Sequence, residues 1–88
     1  MKTLGEKVKD RRVDLGLTQQ ELANQTGVAL KTLTNIEVRG AIPRSTTLRK
    51  LCIVLGVSEM YLTNDEVTDP SYGLDEAPYV ASIRDQYG

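Results

Sequence analysis

The order Leu22-Ala23, three residues, Gly27-Val28, four residues, Leu33, two residues, Ile36 constrains this 88-residue chain more than any other feature. Two short helices that cross closely need a small side chain at the crossing, and Ala23 supplies it. A reversal within a few residues needs one position of positive φ, and Gly27 supplies it. Both helices also need apolar anchors facing the rest of the fold, and Leu22, Val28, Leu33 and Ile36 stand where those anchors are required. Each demand is met by many sequences singly. Met together at this spacing, they describe a tight corner between two helices.

The surrounding sequence repeats the same punctuation. Residues 3–15 carry Leu4, Val8 and Leu15 at helical spacing, and Gly16 follows. Thr18-Gln19-Gln20-Glu21 is a capping box, with Leu17 and Leu22 at the positions of a hydrophobic staple; it opens a helix over 19–26 that stops at Gly27. Val28 and Leu33 form a second staple around Ala29, a poor cap with no side-chain acceptor, and open a helix over about 30–38. Gly40 and Pro43 end it. Ser45 or Thr46 caps a fourth helix whose Leu48, Leu51, Cys52 and Leu55 make one buried face. Gly56 ends that helix, and Val57, Ser58 and Leu62 repeat the pattern for a short fifth. No segment alternates as a strand does. The expectation is an all-α fold of five short helices.

Composition narrows the chemistry. The chain has no His, Trp or Phe, one Cys and four Tyr. It therefore lacks the commonest general base and the commonest metal ligand. No metal site, cofactor or catalytic residue is expected, and the chain reads as a binding module rather than an enzyme. No apolar run approaches a membrane span, no apolar signal core opens the chain, and the lone Cys52 forms no internal disulfide, so the expected location is cytoplasmic. Residues 1–62 hold ten Lys/Arg and six Asp/Glu, a net of +4, whereas residues 63–88 hold one and six, a net of −5. That change of sign divides the chain into a helical domain over 1–63 and an acidic extension over 64–88. Across that boundary, 63–74 reads as a linker or a loosely packed strap. Residues 75–88 form a candidate sixth helix with Tyr79, Val80, Ile83 and Tyr87 on one face. Its stripe would continue past Gly88, which fits a longer native protein and fits a frayed acidic end equally.

Residues 4–62 resemble the lambda-repressor/Cro-like (XRE-type) helix-turn-helix proteins. The resemblance rests on Leu4-Gly5-Glu6-Lys7-Val8-Lys9-Asp10-Arg11-Arg12 and on Leu15-Gly16-Leu17-Thr18-Gln19-Gln20-Glu21-Leu22-Ala23. Shorter matches are Thr26-Gly27-Val28, Ile36-Glu37, Pro43 and Leu55-Gly56-Val57-Ser58. It implies a five-helix lambda-repressor-like DNA-binding domain that binds double-stranded DNA, usually as a homodimer. It also implies that the helix near 30–38 enters the major groove by its first residues. Gln19 matches a position that bonds a phosphate and braces the reading helix. Leu30, Lys31, Thr32, Thr34 and Asn35 are the outward positions: Lys31 suits guanine, Thr32 a thymine methyl, and Asn35 adenine or a phosphate. Leu30 departs from the family, which usually places a polar residue there. Arg12 and Glu37 match a structural ion pair. Arg39, Arg44 and Arg49 suit contact with the DNA backbone. Gly40 stands one residue later than the family's usual turn glycine. Helix 5, with Met60, Tyr61 and Leu62, is the dimer interface that the resemblance suggests.

Two functions follow as expectations. One is a sequence-specific transcriptional regulator, a dimeric repressor whose operator and effector are left open, as is activation instead of repression. The other is an antitoxin or regulatory interaction protein whose C-terminal tail binds a partner protein.

Overall fold

Capping residues set the helix boundaries. The computed structural model describes residues 2–74 and contains five α-helices and, among those residues, no strand. Helix α1 (Leu4–Asp14) starts at Thr3, whose hydroxyl accepts from the Glu6 amide while the Glu6 carboxylate accepts from the Thr3 amide. This capping box is legible in Thr3-x-x-Glu6. Helix α2 (Gln19–Thr26) has the expected box between Thr18 and Glu21 and ends at Gly27 with φ 77°. Helix α3 (Leu30–Arg39) opens at Ala29 without a side-chain cap. Helix α4 (Ser45–Leu55) has Arg44, not Ser45 or Thr46, as its N-cap. Arg44 is the last extended residue, so Ser45 already has helical geometry and its hydroxyl cannot cap. Helix α5 (Glu59–Thr63) begins at Ser58, whose hydroxyl accepts from the Tyr61 amide.

The helices enclose one core. Val8, Leu22, Leu33, Leu51, Leu55 and Leu62 are fully buried, and Ile36, Val57 and Tyr61 nearly so. Burial of each such aliphatic side chain contributes about 1.5–3 kcal/mol. Leu15 departs from the expected stripe of α1: it lies past the last turn, beyond the edge of the core, and is exposed. Tyr61 and Leu62 also depart from the expected dimer surface. Both point into this chain's own core, and Met60 is the one of the three that is exposed. Residues 75–88, with the candidate sixth helix, lie outside the described residues. No helix among the described residues is long and apolar enough to cross a membrane.

Helix α1 packs on α3 almost backbone to backbone. A Cβ on Gly5 would stand 2.1 Å from the Ile36 carbonyl oxygen. The glycine is thus required by a close approach within a regular helix, not by a turn.

Cys52 lies on the buried face of α4, and burial pushes its thiol from 9.0 up to about 11. At pH 8 the folded chain should therefore react with iodoacetamide about a hundredfold more slowly than the denatured chain, since only thiolate attacks. The unfolded thiol ionises first, so its contribution to stability is complete below pH 9 and declines as pH rises from 9 toward 11. Equal alkylation rates in the folded and denatured chains would contradict this.

Candidate nucleic-acid interface

The turn between α2 and α3 spans three residues, 27–29, and is held from both sides. Ala23 is buried at the crossing. The Thr26 hydroxyl donates to the Leu22 carbonyl at 2.7 Å and accepts from the Val28 amide at 3.1 Å. Thr26 therefore closes α2 and fixes the first residue beyond Gly27. With Leu33 and Ile36 buried, α3 turns its opposite side outward. Lys31 is exposed there, Leu30 is two-fifths exposed, and Thr32, Thr34 and Asn35 are half-buried. Val38 and Arg39 are exposed at its C-terminal end.

A polar network behind α3 sets its angle to the other helices. Arg12 Nε donates to Glu37 Oε2 at 2.9 Å and Nη2 donates to Oε1 at 3.0 Å, a two-pronged pair joining α1 to α3. Arg12 Nη1 also donates to the Leu17 carbonyl at 2.8 Å, which ties in the α1–α2 turn. The Glu37 side chain is 1% exposed and that of Arg12 12%, so the pair is largely removed from water. Gln19 Nε2 donates to Glu37 Oε1 at 3.1 Å. The Thr34 hydroxyl lies 3.0 Å from its acceptor, the Leu30 carbonyl, and 3.3 Å from Gln19 Oε1. Helices α1, α2 and α3 therefore share one hydrogen-bonded chain, and Gln19 joins α2 to α3.

The expected site residues are spread over two grooves, the exposed positions of α3 and the network behind it. Leu30 and Gln19 line an open groove with Arg12, Leu17, Thr18 and Gln20 at the start of α2. Thr32 and Asn35 line a second groove with Ile42, Pro43, Arg44 and Thr47, between α3 and the start of α4. Lys31 stands exposed beside Leu30 and Thr32 on the first turn, and Arg39 is exposed at the other end of α3. Thr34 and Gln19 face each other, and Gln19 also bonds Glu37. The first helix turn of α3 is thus flanked by two grooves, each lined by a side-chain amide and a guanidinium: Gln19 with Arg12 in one, Asn35 with Arg44 in the other.

Not every cation of the basic half belongs to this surface. Lys7 is buried, Arg11 donates to the Leu55 carbonyl at the end of α4 at 3.0 Å, and Arg12 holds Glu37. Lys2 pairs with Asp10. The two ion pairs are already neutral within the +4 of the first half, but Lys7 and Arg11 are held on carbonyls, so that count overstates the charge available to a ligand. Only the fold reveals this for Lys7 and Arg11, which read in sequence as solvated charges; the pairing of Arg12 with Glu37 is already implied by the resemblance.

Known proteins place the geometry. A family profile described as HTH_3: Helix-turn-helix matches residues 8–62. A solved structure entitled SinR protein/SinI protein complex is similar to this chain with a TM-score of 0.68 and 29% identity, over 96% of this chain and 78% of that one. A search of the curated proteins gave no significant match.

Proposed function

The chain belongs to the helix-turn-helix family matched over residues 8–62, DNA-binding regulators of the XRE type, and from that premise we propose a dimeric repressor that reads the major groove with α3. The observation that carries this reading is the exposed first turn of α3, braced from behind by the Arg12–Glu37–Gln19–Thr34 network. Lys31, Thr32 and Asn35 are the base-reading residues, and Leu30 packs on thymine methyls. Gln19 and Thr34 hold α3 at its angle, with the second Gln19 amide proton left for a phosphate. Arg39 and Arg44 meet the backbone on either side. Two subunits read two half-sites about one helical turn apart and block the promoter sterically. Residues 1–63 form the reading domain, and 64–88 serve oligomerisation or a partner.

Binding measurements on two unrelated duplexes test these assignments. Lys31→Ala and Thr32→Ala are each expected to weaken binding to the preferred duplex by about 1–3 kcal/mol and to leave the other duplex nearly unaffected. Arg44→Ala is expected to weaken both alike and to lower the salt slope by about 0.9. Equal losses on both duplexes for Lys31→Ala and Thr32→Ala would remove them from the reading surface.

A second reading has its own support. The similar solved structure is entitled as a complex of two proteins, and the similarity runs over 96% of this chain. On this reading the acidic extension binds a partner protein, and the partner controls access to DNA. Loss of DNA binding on adding a protein captured by residues 64–88 would favour it.

A further inference from the structure

The side of α1 away from α3 carries a buried ammonium that no step of DNA reading uses. Lys7 is 1% exposed. Its Nζ donates to three main-chain carbonyls: Tyr61 at 2.7 Å, Asn64 at 3.0 Å and Val67 at 2.6 Å. Three protons meet three acceptors, and the Tyr61 ring centroid lies 4.8 Å from the same nitrogen. The first two carbonyls lie at the end of α5, where helix geometry leaves carbonyls without helical partners, and that of Asn64 also accepts from the Val67 amide. The third belongs to the segment that follows, whose Val67 side chain packs against the core.

That segment has a second fastening. The Ser58 hydroxyl donates to the Tyr72 carbonyl at 2.7 Å. Gly73 lies so close that a Cβ on it would stand 2.9 Å from Ser58 Oγ. Residues 64–74 are therefore held at Lys7 and at Ser58. Lys7 shares its helix with Gly5, which touches the Ile36 backbone, and with Arg12, which grips Glu37. One helix thus bonds the segment on one side and the recognition helix on the other.

We propose that residues 64–74 are a strap latched by Lys7, and that releasing the strap loosens α1 against α3, so that a load on the chain beyond Leu74 reaches the recognition helix. Lys7 is a positioning residue in this account. When the strap lifts, the ammonium keeps only the Tyr61 carbonyl while still buried, and an unsatisfied buried charge is relieved by movement of α1 toward water. The strap is then the route by which oligomerisation or a partner at the C-terminal end would change the reading surface. The inference does not depend on which DNA sequence is read, or on DNA being read at all.

Amide hydrogen exchange on the full 88-residue chain tests it. Val67→Asp takes the apolar side chain off the core from the strap's own side and leaves the Lys7 side chain itself unaltered. The amides of Val67 and Leu74, which donate to the Asn64 and Ser71 carbonyls, should exchange at least about tenfold faster. The Lys7 amide in α1 and the Ala41 amide, which donates to Asn35 in α3, should follow by at least about threefold, while Gly27 at the end of α2 stays unchanged. Lys7→Met should reproduce this pattern, and Lys7→Arg, which keeps donors, should restore most of the protection. Faster strap exchange with α1 and α3 unchanged would overturn the coupling. Unchanged strap exchange in Val67→Asp would overturn the latch. If Lys7→Met fails to fold, Val67→Asp and Lys7→Arg still decide.

Discussion

Gly5→Ala is expected to destabilise the chain by about 3 kcal/mol, the upper part of the range for overpacking, and to lower its Tm by about 15 °C. The sign is what makes the result informative. Replacing glycine by alanine inside a helix ordinarily stabilises by about 1 kcal/mol, because alanine loses less backbone entropy. Here the added methyl would stand 2.1 Å from the Ile36 carbonyl oxygen, a main-chain atom that no rotamer change can move aside. Helix α1 must back away from α3, and the Arg12–Glu37 pair spans that same gap. Affinity for DNA should therefore fall further than the loss of folded protein accounts for. Thermal and urea melts measure the stability, and a variant as stable as the parent would show that α1 and α3 are not packed this closely.

The second large effect concerns that ion pair. Arg12→Met or Glu37→Met alone should destabilise by about 3–5 kcal/mol, since each leaves the other charge buried and unpaired. The double variant should be less damaged than either single one, because removing both charges abolishes their desolvation as well as their attraction. Glu37→Met should also release Gln19, whose amide donates to the carboxylate. The double variant's loss minus the sum of the two single losses is the coupling energy, obtained from four urea melts. Additive losses in the double variant would mean that the pair does not act as a unit.

The helices and their order were legible in the sequence because the signals are local. Thr18 and Glu21, Gly27, Gly56 and Ser58 each act within one turn of their own position, and each does what its local chemistry requires. The buried face of α4 was equally legible, since Leu48, Leu51, Cys52 and Leu55 repeat at the helical period. Contacts across the fold were not legible. Nothing near Gly5 marks it as the point where two backbones meet. Lys7 stands in a run of charges, and only the arrival of α5 and the strap some 54–60 residues later turns it inward. The resemblance suggests Tyr61 and Leu62 for a second subunit, and nothing local in the sequence shows that the chain's own core takes them instead. Within the candidate site, the pairing of Arg12 with Glu37 was expected by resemblance. The resemblance gives Gln19 a bracing role but not its partners, the Glu37 carboxylate and the Thr34 hydroxyl, because those bonds join α2 to α3 across their turn.

Charge followed the same rule. Counting Lys and Arg along the chain gave a basic half, but Lys7, Arg11 and Arg12 are spent inside the fold on carbonyls and a carboxylate. The cations that remain beside α3 are Lys31, Arg39 and Arg44, so electrostatic attraction to DNA rests on few groups. A modest salt slope per subunit follows.

Selection of bound duplexes from a random pool by the full chain, followed by affinity at two salt concentrations, tests the central claim most directly. The account predicts a palindromic consensus with half-sites about one helical turn apart, and binding that weakens linearly in the logarithm of salt. An unenriched pool, with only weak binding that disappears near physiological salt, would contradict sequence reading by α3.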